Sequence, residues 1–285
     1  MRISSCLLIL CIFLNTSCSK AADPAKKFSD KGYSACSKKN YKEACAWFKK
    51  SAELGDVDAM FNLGAMYAHG IGVSQDPQEA FKWSKKAAEL GNASAMRNLG
   101  IMYGNGEGTL KDPQEAFRWF KKSAELGDVD AMFNLGAMYA NGVAKNYQEA
   151  LKWYKKAAEL GNASAMRNLG LMLLVGIGVS QDYQEAFKWF KKSAELGDDY
   201  AMFKLGAMYG NGEGTLKDPQ EAFKWSKKAA ELGNASAMYS LGLMYAKGEG
   251  TLKDPQRVKY WIKKSYEAGN KDAEKAWNTL ELWKY

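Results

Sequence analysis

Apolar residues recur along most of the chain at intervals of three and four, the spacing of one face of an amphipathic α-helix. Within residues 56–91 this spacing occurs in two separate segments. The first carries Leu63 and Met66 on its apolar stripe, and the second carries Trp83 and Leu90 on its own. The pattern predicts two helices joined by a loop, with both stripes buried.

The residues around the stripes carry the signals that begin and end helices. Asp76 is a good N-cap, Pro77 fits the first turn, and Glu79 stands where a side chain can reach back to the cap. Gly91 is a natural residue just beyond the helix end. Gly64 lies inside the first stripe, where glycine costs about 1 kcal/mol relative to alanine. We therefore expect a neighbouring helix to approach closely at Gly64.

The same unit returns five more times, each copy following directly on the last. The six copies cover residues 56–91, 92–127, 128–161, 162–197, 198–233 and 234–269. A period of this size, with two amphipathic segments per unit, is typical of an α-solenoid, whose repeats bury their apolar faces against one another. We therefore predict an all-α fold built of stacked helix hairpins.

The segments that flank the repeats resemble them in part. Residues 18–55 are predicted to be a linker and one degenerate unit, because Trp47 precedes Trp83 by the repeat length. The internal spacing of that unit is the spacing of tetratricopeptide (TPR) repeats. Residues 270–285 are predicted to form a capping helix over the end of the stack. Its apolar residues are Trp277, Leu280, Leu282 and Trp283.

The first residues have the character of a secretory signal peptide. Residues 1–17 combine Arg2 with an apolar run too short to span a bilayer. Cys18 follows in a sequence that resembles a bacterial lipobox, so lipidation at Cys18 is one prediction, and ordinary cleavage after Ser19 or Ala21 is the alternative. Either way we expect a periplasmic or secreted protein, and in the first case an outer-membrane lipid anchor.

The repeated motif identifies a family. A-x-x-x-L-G-x-M-Y-x-x-G-x-G followed by D-x-x-x-A-x-x-W-x-x-K-A-A-E-x-G runs through residues 56–269 and resembles the Sel-1-like repeat (SLR). The resemblance implies a right-handed, TPR-like superhelix that scaffolds or binds other proteins, often in the bacterial cell envelope. It also brings an alternative, a penicillin-binding or β-lactamase-like hydrolase, as described for some cysteine-rich relatives. Here Ser-x-x-Lys occurs only at residues 17–20, with no Ser-Asp-Asn or Lys-Thr-Gly, so we predict a non-enzymatic scaffold.

Little in the composition favours other chemistry. The net charge is +8 and the charges are mixed along every helix, so nucleic-acid binding is not indicated. The one histidine, His69, falls in a loop, and the acidic residues recur at caps and helix faces. We therefore predict no catalytic residue, metal site or cofactor. The tryptophan of each repeat is interpreted as a packing residue.

One row of residues suggests binding. The position before each repeated Leu-Gly pair holds Asn62, Asn98, Asn134, Asn168 and then Lys204, with Arg97 and Arg167 adjacent in alternate repeats. The TPR resemblance implies that such asparagines face a concave groove and hold an extended peptide backbone, since an amide both donates and accepts. The basic residues would favour an acidic segment or a free C-terminal carboxylate. The alternative is that the asparagines are a relic of recent duplication.

Two cysteines, Cys36 and Cys45, remain after the signal region. They are predicted to lie near the end of one helix and the start of the next. In an oxidising compartment an even pair favours a disulfide. Two small buried thiols, held too far apart to bond, are the alternative.

Overall fold

The computed structural model describes residues 23–142 and 145–279, and that part of the chain is all-helical. Its fifteen helices are α1 (Pro24–Ser37), α2 (Tyr41–Glu53), α3 (Val57–His69), α4 (Pro77–Glu89), α5 (Ala93–Asn105), α6 (Pro113–Glu125), α7 (Val129–Asn141), α8 (Tyr147–Glu159), α9 (Ala163–Val175), α10 (Tyr183–Glu195), α11 (Asp199–Asn211), α12 (Pro219–Glu231), α13 (Ala235–Lys247), α14 (Pro255–Glu267) and α15 (Lys271–Thr279). The predicted signal peptide, Cys18, Leu280, Leu282 and Trp283 lie outside the described residues.

The chain divides into two compact units. The first contains α1–α4 and the second contains α5–α15. Inside each unit a hairpin pairs its two helices, and its second helix packs on the first helix of the next hairpin. This adjacent-pair packing confirms the predicted all-α solenoid of repeats.

Each helix begins on a polar cap, as the sequence predicts. The Asp76 side chain accepts hydrogen bonds from the backbone amides of Gln78 and Glu79, both at 3.0 Å. Glu79 does not reach back, because the Asp76 amide already donates to the Tyr67 carbonyl. Its carboxylate instead accepts hydrogen bonds from Lys82 at 2.6 Å and from the Trp83 indole at 3.0 Å. The expected reciprocal cap is therefore replaced by a link to the core tryptophan.

The glycine of each Leu-Gly pair allows the two helices of a hairpin to touch. A β-carbon added at Gly100 would lie 2.8 Å from the Phe120 ring, and one at Gly64 would lie 2.8 Å from the Ser84 hydroxyl. Contacts that short do not occur between real side chains, so a larger residue would force the helices or the facing side chain to shift. The expected close approach is confirmed, and it repeats in every hairpin.

The core is built of small and aliphatic residues from both helices. Ala80, Ala87 and Leu63 are completely buried, and Trp83 is nearly so. Leu90 was expected on the same stripe, and that prediction is wrong, since 58% of Leu90 is exposed. The helix ends at Glu89, so Leu90 has non-helical backbone angles and leaves the stripe.

The loops between paired helices rest on the preceding hairpin. Gly214 has a φ of +70°, and a β-carbon there would lie 2.0 Å from the Tyr183 carbonyl oxygen. The backbone of the loop therefore packs directly on the start of α10. These Gly-x-Gly segments are tight turns, as the sequence indicates.

The predicted C-terminal helix is confirmed as α15. Its Trp277 is buried in a small apolar cluster with Ala273 and with Ile262 of α14. The helix thus covers the last repeat's apolar face.

Candidate peptide-binding surface

The predicted asparagine row falls in the middle of successive first helices. Asn62 lies in α3 of the first unit, whereas Asn98, Asn134 and Asn168 lie in α5, α7 and α9 of the second. Lys204 occupies the same position in α11. All five side chains are half-buried. They hold equivalent positions in equivalent repeats, so their surroundings can be compared directly.

Two of the four amides are bound within the chain. Asn62 Nδ2 donates to the Tyr33 hydroxyl at 2.9 Å, and Asn168 hydrogen-bonds to the Tyr154 hydroxyl. Burial raises the pKa of both tyrosines, and the asparagine hydrogen bond offsets part of that rise. Among the described residues Asn98 and Asn134 have no side-chain hydrogen bond. Their donors and acceptors are therefore available to a partner.

The two arginines beside the row connect neighbouring repeats. The Arg97 guanidinium lies 2.9 Å from Asp130, and its Nε lies 3.4 Å from Asp128, the N-cap of α7. That Nε is buried and lacks a well-aligned acceptor. Arg167 lies 2.6 Å from Asp198, the N-cap of α11. Sequence reasoning placed the arginines correctly on the first helices but missed these carboxylates, which the stacking of repeats brings within reach.

Lys204 lies beside aromatic side chains of its own helix. Its amine is 5.4 Å from the centre of the Tyr200 ring and 5.6 Å from that of the Phe203 ring. Both distances are within the range of a cation–π contact. Lys204 therefore has no carboxylate partner in the described part of the chain, in contrast to Arg97 and Arg167.

The repeated tryptophans pack the second helices, as expected. Trp83, Trp153, Trp189 and Trp225 are buried. A lysine three residues later covers each ring, for example Lys86 at 4.4 Å from the centre of Trp83. Such a lysine shields the indole with its stem and keeps its amine in water.

Comparison with known proteins identifies the family to which the repeats belong. The family model of the Sel1 repeat matches residues 30–56, 57–92, 93–128, 129–162, 163–198, 199–234 and 235–270. The chain belongs to the Sel1 repeat family. Sel1 repeat proteins are generally non-catalytic scaffolds for protein interactions. The resemblance read from the repeated motif is thereby confirmed, and the matches also include part of the degenerate unit that precedes residue 56.

Two solved structures are similar over most of the Sel1 repeat chain. A protective antigen of uropathogenic Escherichia coli with an SLR fold has a TM-score of 0.81 and 36% identity, over 87% of this chain and 55% of that one. A Sel1 repeat protein from Oxalobacter formigenes has a TM-score of 0.77 and 40% identity, over 84% of this chain and 99% of that one. The chain thus spans about half the length of the E. coli protein. Comparison with curated proteins gives no match.

One cleft in the Sel1 repeats was not foreseen from the sequence. It has a volume of about 660 Å³ and lies among α11, α12 and α13. Ser226 contributes to its lining, together with Phe203, Gly206 and Ser240. We refer to it as the Ser226 cleft. The sequence gives no signal for it, since Ser84 of α4 holds the same position as Ser226, while other second helices carry Phe120, Tyr154 or Phe190 there.

The histidine and the two cysteines singled out from the sequence lie in α3, α1 and α2. His69 is exposed at the end of α3, and within residues 23–142 and 145–279 no cluster of His, Cys, Asp and Glu could hold a metal ion. No described helix is long and apolar enough to cross a bilayer. Cys36 and Cys45 are not joined by a disulfide, and burial raises the pKa of the Cys45 thiol. The disulfide stays a prediction for the oxidised protein.

Proposed function

We propose that this Sel1 repeat protein is a non-catalytic scaffold that binds an extended peptide segment along its asparagine row. The observation that carries the proposal is the pair Asn98 and Asn134. Each is a half-buried amide whose side chain makes no hydrogen bond to residues 23–142 or 145–279, and they hold equivalent positions in neighbouring repeats. An extended peptide presents backbone amides at regular intervals, so a regular row of such side chains can hold it without reading its sequence.

Charge beside the row gives a preference for acidic segments. The Lys204 amine lies beside two aromatic rings and pairs with no carboxylate of the described residues, so a partner carboxylate can approach it. Arg97 and Arg167 are already bound to aspartates, with only 25% and 28% of each side chain exposed. A peptide carboxylate would share these guanidinium groups with the aspartates. We therefore expect a modest salt dependence, in keeping with partly exposed ion pairs.

The test compares two asparagine substitutions on a peptide of measured affinity. An array of acidic and C-terminal peptides first supplies a fluorescent ligand, and the Asn98→Ala/Asn134→Ala variant is then titrated by anisotropy. Losing two hydrogen bonds of about 1 kcal/mol each should weaken binding roughly thirtyfold. Asn105→Ala is the matched control, because Asn105 lies at the exposed end of α5 and its side chain hydrogen-bonds to the nearby Glu107.

Two outcomes are informative. Weaker binding by the double variant, with helical content unchanged and Asn105→Ala equal to the parent, supports the row. Equal binding by the double variant places the partner elsewhere, for example on the second helices with their paired lysines. Arg97→Ala and Arg167→Ala are less clean probes, because both also remove a link between repeats. Nitrocefin turnover by the purified chain would contradict the non-catalytic part of the proposal.

We also propose that the protein functions in the periplasm or outside the cell. The support is the composition of residues 1–17 and the cysteine that follows them. Intact mass of the membrane fraction tests the lipid anchor, since a lipidated chain starts at Cys18 and carries acyl mass. A soluble product that starts at Lys20 or Ala22 would replace the anchored form by a secreted one. Titration of thiols in the unfolded, non-reduced protein would find none if Cys36 and Cys45 are bonded.

A further inference from the structure

The first hairpin carries most of the excess positive charge of residues 23–285. Residues 23–55 contain eight lysines and four acidic residues, whereas residues 56–285 contain thirty basic and twenty-eight acidic residues. All eight lysines are exposed: Lys26, Lys27, Lys31, Lys38, Lys39, Lys42, Lys49 and Lys50. None of them forms an ion pair with the residues that the structure describes, unlike Lys82 and Lys85 of α4, which pair with glutamates of their own helix. The charge of α1 and α2 is therefore available to a partner.

An aromatic pair lies within this basic hairpin. Phe28 of α1 and Trp47 of α2 are stacked, with ring centres 5.5 Å apart and ring planes 17° from parallel. Lys31 and Lys50 reach the same indole from the two helices, with amines 4.3 Å and 4.6 Å from its centre. We refer to these four side chains as the Trp47 surface. It combines two aromatic rings with two unpaired positive charges.

The next hairpin shows what covers these ring positions elsewhere. Met60 of α3 and Trp83 of α4 hold the positions of Phe28 and Trp47 in the following repeat. Met60 and Trp83 are only 6% and 5% exposed, and they line a groove together with Ala52 of the preceding hairpin. No described helix precedes α1, so Phe28 and Trp47 lack such a cover and are half-buried. The Trp47 surface is thus a core position left without its neighbour.

This combination of rings and charge suits the headgroup layer of a membrane. Aromatic rings at a bilayer interface lie at the depth of the headgroups, while lysines extend their stems along apolar groups and keep their amines in the polar layer. Glu43 lies beside the Trp47 surface, but its carboxylate already accepts hydrogen bonds from the Trp47 indole at 3.1 Å and from Asn40 at 2.8 Å. The lysines of the hairpin outnumber such acids by two to one, so an anionic layer is favoured.

We propose that the Trp47 surface binds an anionic phospholipid bilayer and holds the first hairpin against it. The rings of Phe28 and Trp47 enter the headgroup layer, and the amines of Lys31 and Lys50 contact lipid phosphates. The proposed lipidation site favours this partner, because Cys18 lies only five residues before the first described residue. Five extended residues reach roughly 17 Å, so an acyl chain and the start of α1 are close enough to meet one bilayer.

The first measurement uses the mature chain that begins at Ala22, which retains all fifteen helices and carries no lipid. Co-sedimentation should show binding to vesicles made of equal parts phosphatidylglycerol and phosphatidylcholine, and at least tenfold weaker binding to phosphatidylcholine alone. Added salt should weaken the binding, since the Debye length falls to about 3 Å at 1 M. Equal binding to both kinds of vesicle, or binding to neither, would overturn the proposal.

The second measurement removes the two lysines beside the indole. Lys31→Gln/Lys50→Gln should bind the mixed vesicles about thirtyfold more weakly, since each lysine near an anionic surface contributes about fivefold. Lys82→Gln/Lys86→Gln is the matched control, because these lysines also lie over a tryptophan, the buried Trp83, at 5.8 Å and 4.4 Å. The control loses the same charge and should bind within threefold of the parent. Equal losses in both variants would show that net charge, and not the Trp47 surface, attracts the membrane.

The third measurement tests the ring. Trp47→Ala should weaken binding to the mixed vesicles at least tenfold, and its salt dependence should equal that of the parent because every lysine remains. Trp47→Phe, which keeps an aromatic ring in place, should bind within threefold of the parent. Unchanged binding by Trp47→Ala, with its helical content intact, would contradict the entry of the ring into the headgroup layer.

This inference is independent of the asparagine row, and the two can fail separately. Asn98→Ala/Asn134→Ala should bind the mixed vesicles as the parent does, and Lys31→Gln/Lys50→Gln should bind the array peptide as the parent does. Loss of vesicle binding by the asparagine variant would place the membrane contact elsewhere. Binding of the parent to soluble polyglutamate but not to the mixed vesicles would assign the Trp47 surface to an acidic protein and overturn the proposal.

Discussion

The repeats at residues 129–162 and 199–234 place the same helix pair on the same core, yet one is closed and the other is open. The leucine of the first helix is completely buried in both repeats, at Leu135 in the first and at Leu205 in the second. They differ where Tyr154 of one repeat is replaced by Ser226 in the other. A single core position thus decides whether the two helices of a hairpin pack through an aromatic ring, as Tyr154 does on Gly136, or through a serine and the helix backbone, as at Ser226 and Gly206.

The two repeats also differ in their loops. In the repeat at 199–234, Gly214 packs its backbone on the first residue of α10. In the repeat at 129–162 the loop is two residues shorter, and Gly142, which ends α7, is extended with a φ of −106° rather than left-handed. The longer loop therefore docks on the preceding hairpin through a left-handed glycine, whereas α7 of the other repeat ends on an extended one.

Opening the closed repeat should give the largest effect. Tyr154→Ser removes a buried ring and leaves Asn168 without its partner, so we expect the free energy of unfolding to fall by about 4 kcal/mol. Urea unfolding followed by circular dichroism measures this. A loss below about 1 kcal/mol would mean that the helices collapse onto the gap, and that the two repeats are not equivalent.

Disturbing the loop of the open repeat should give the next largest effect. Gly214→Ala would place a β-carbon 2.0 Å from the Tyr183 carbonyl oxygen at a positive φ, so clash and backbone strain add. We expect the free energy of unfolding to fall by about 3 kcal/mol. Gly233→Ala is the control, since Gly233 also has a positive φ but no atom within 4 Å. It should cost only about 1 kcal/mol, and equal losses would show that the docking contact contributes nothing.

Some features of the fold and of the candidate site could be predicted from the sequence, and others could not. Apolar spacing and caps predicted the helix pairs, and Gly64 correctly predicted a close helix approach, because these features are decided within one repeat. Leu90 was misplaced because a stripe does not reveal the turn at which a helix ends. The partners of Arg97 and Arg167 were missed because they depend on the offset between stacked repeats. The Ser226 cleft was missed because it lies among α11, α12 and α13, which belong to two successive repeats.

The smallest expected effect concerns the Tyr154 hydroxyl. Burial raises the pKa of Tyr154 above its usual value of 10.0. As the pH rises past about 10, the unfolded chain therefore loses this proton before the folded protein does. Deprotonation then favours the unfolded state, so the contribution of Tyr154 is full below about pH 10 and is lost as the pH approaches the higher folded-state value.

Tyr154→Phe isolates this contribution. At pH 8 the variant should be about 1 kcal/mol less stable than the parent, because the hydrogen bond to Asn168 is lost. Between pH 9 and 11 the parent should lose stability more steeply, so the two unfolding curves should converge. Asn168→Ala should have the opposite effect on the pH dependence of stability. It removes the hydrogen bond that lowers the pKa of folded Tyr154, so the loss of stability continues to a higher pH than in the parent. Parallel pH profiles for all three proteins would show that the Tyr154 hydroxyl is not held in the closed repeat as its burial implies.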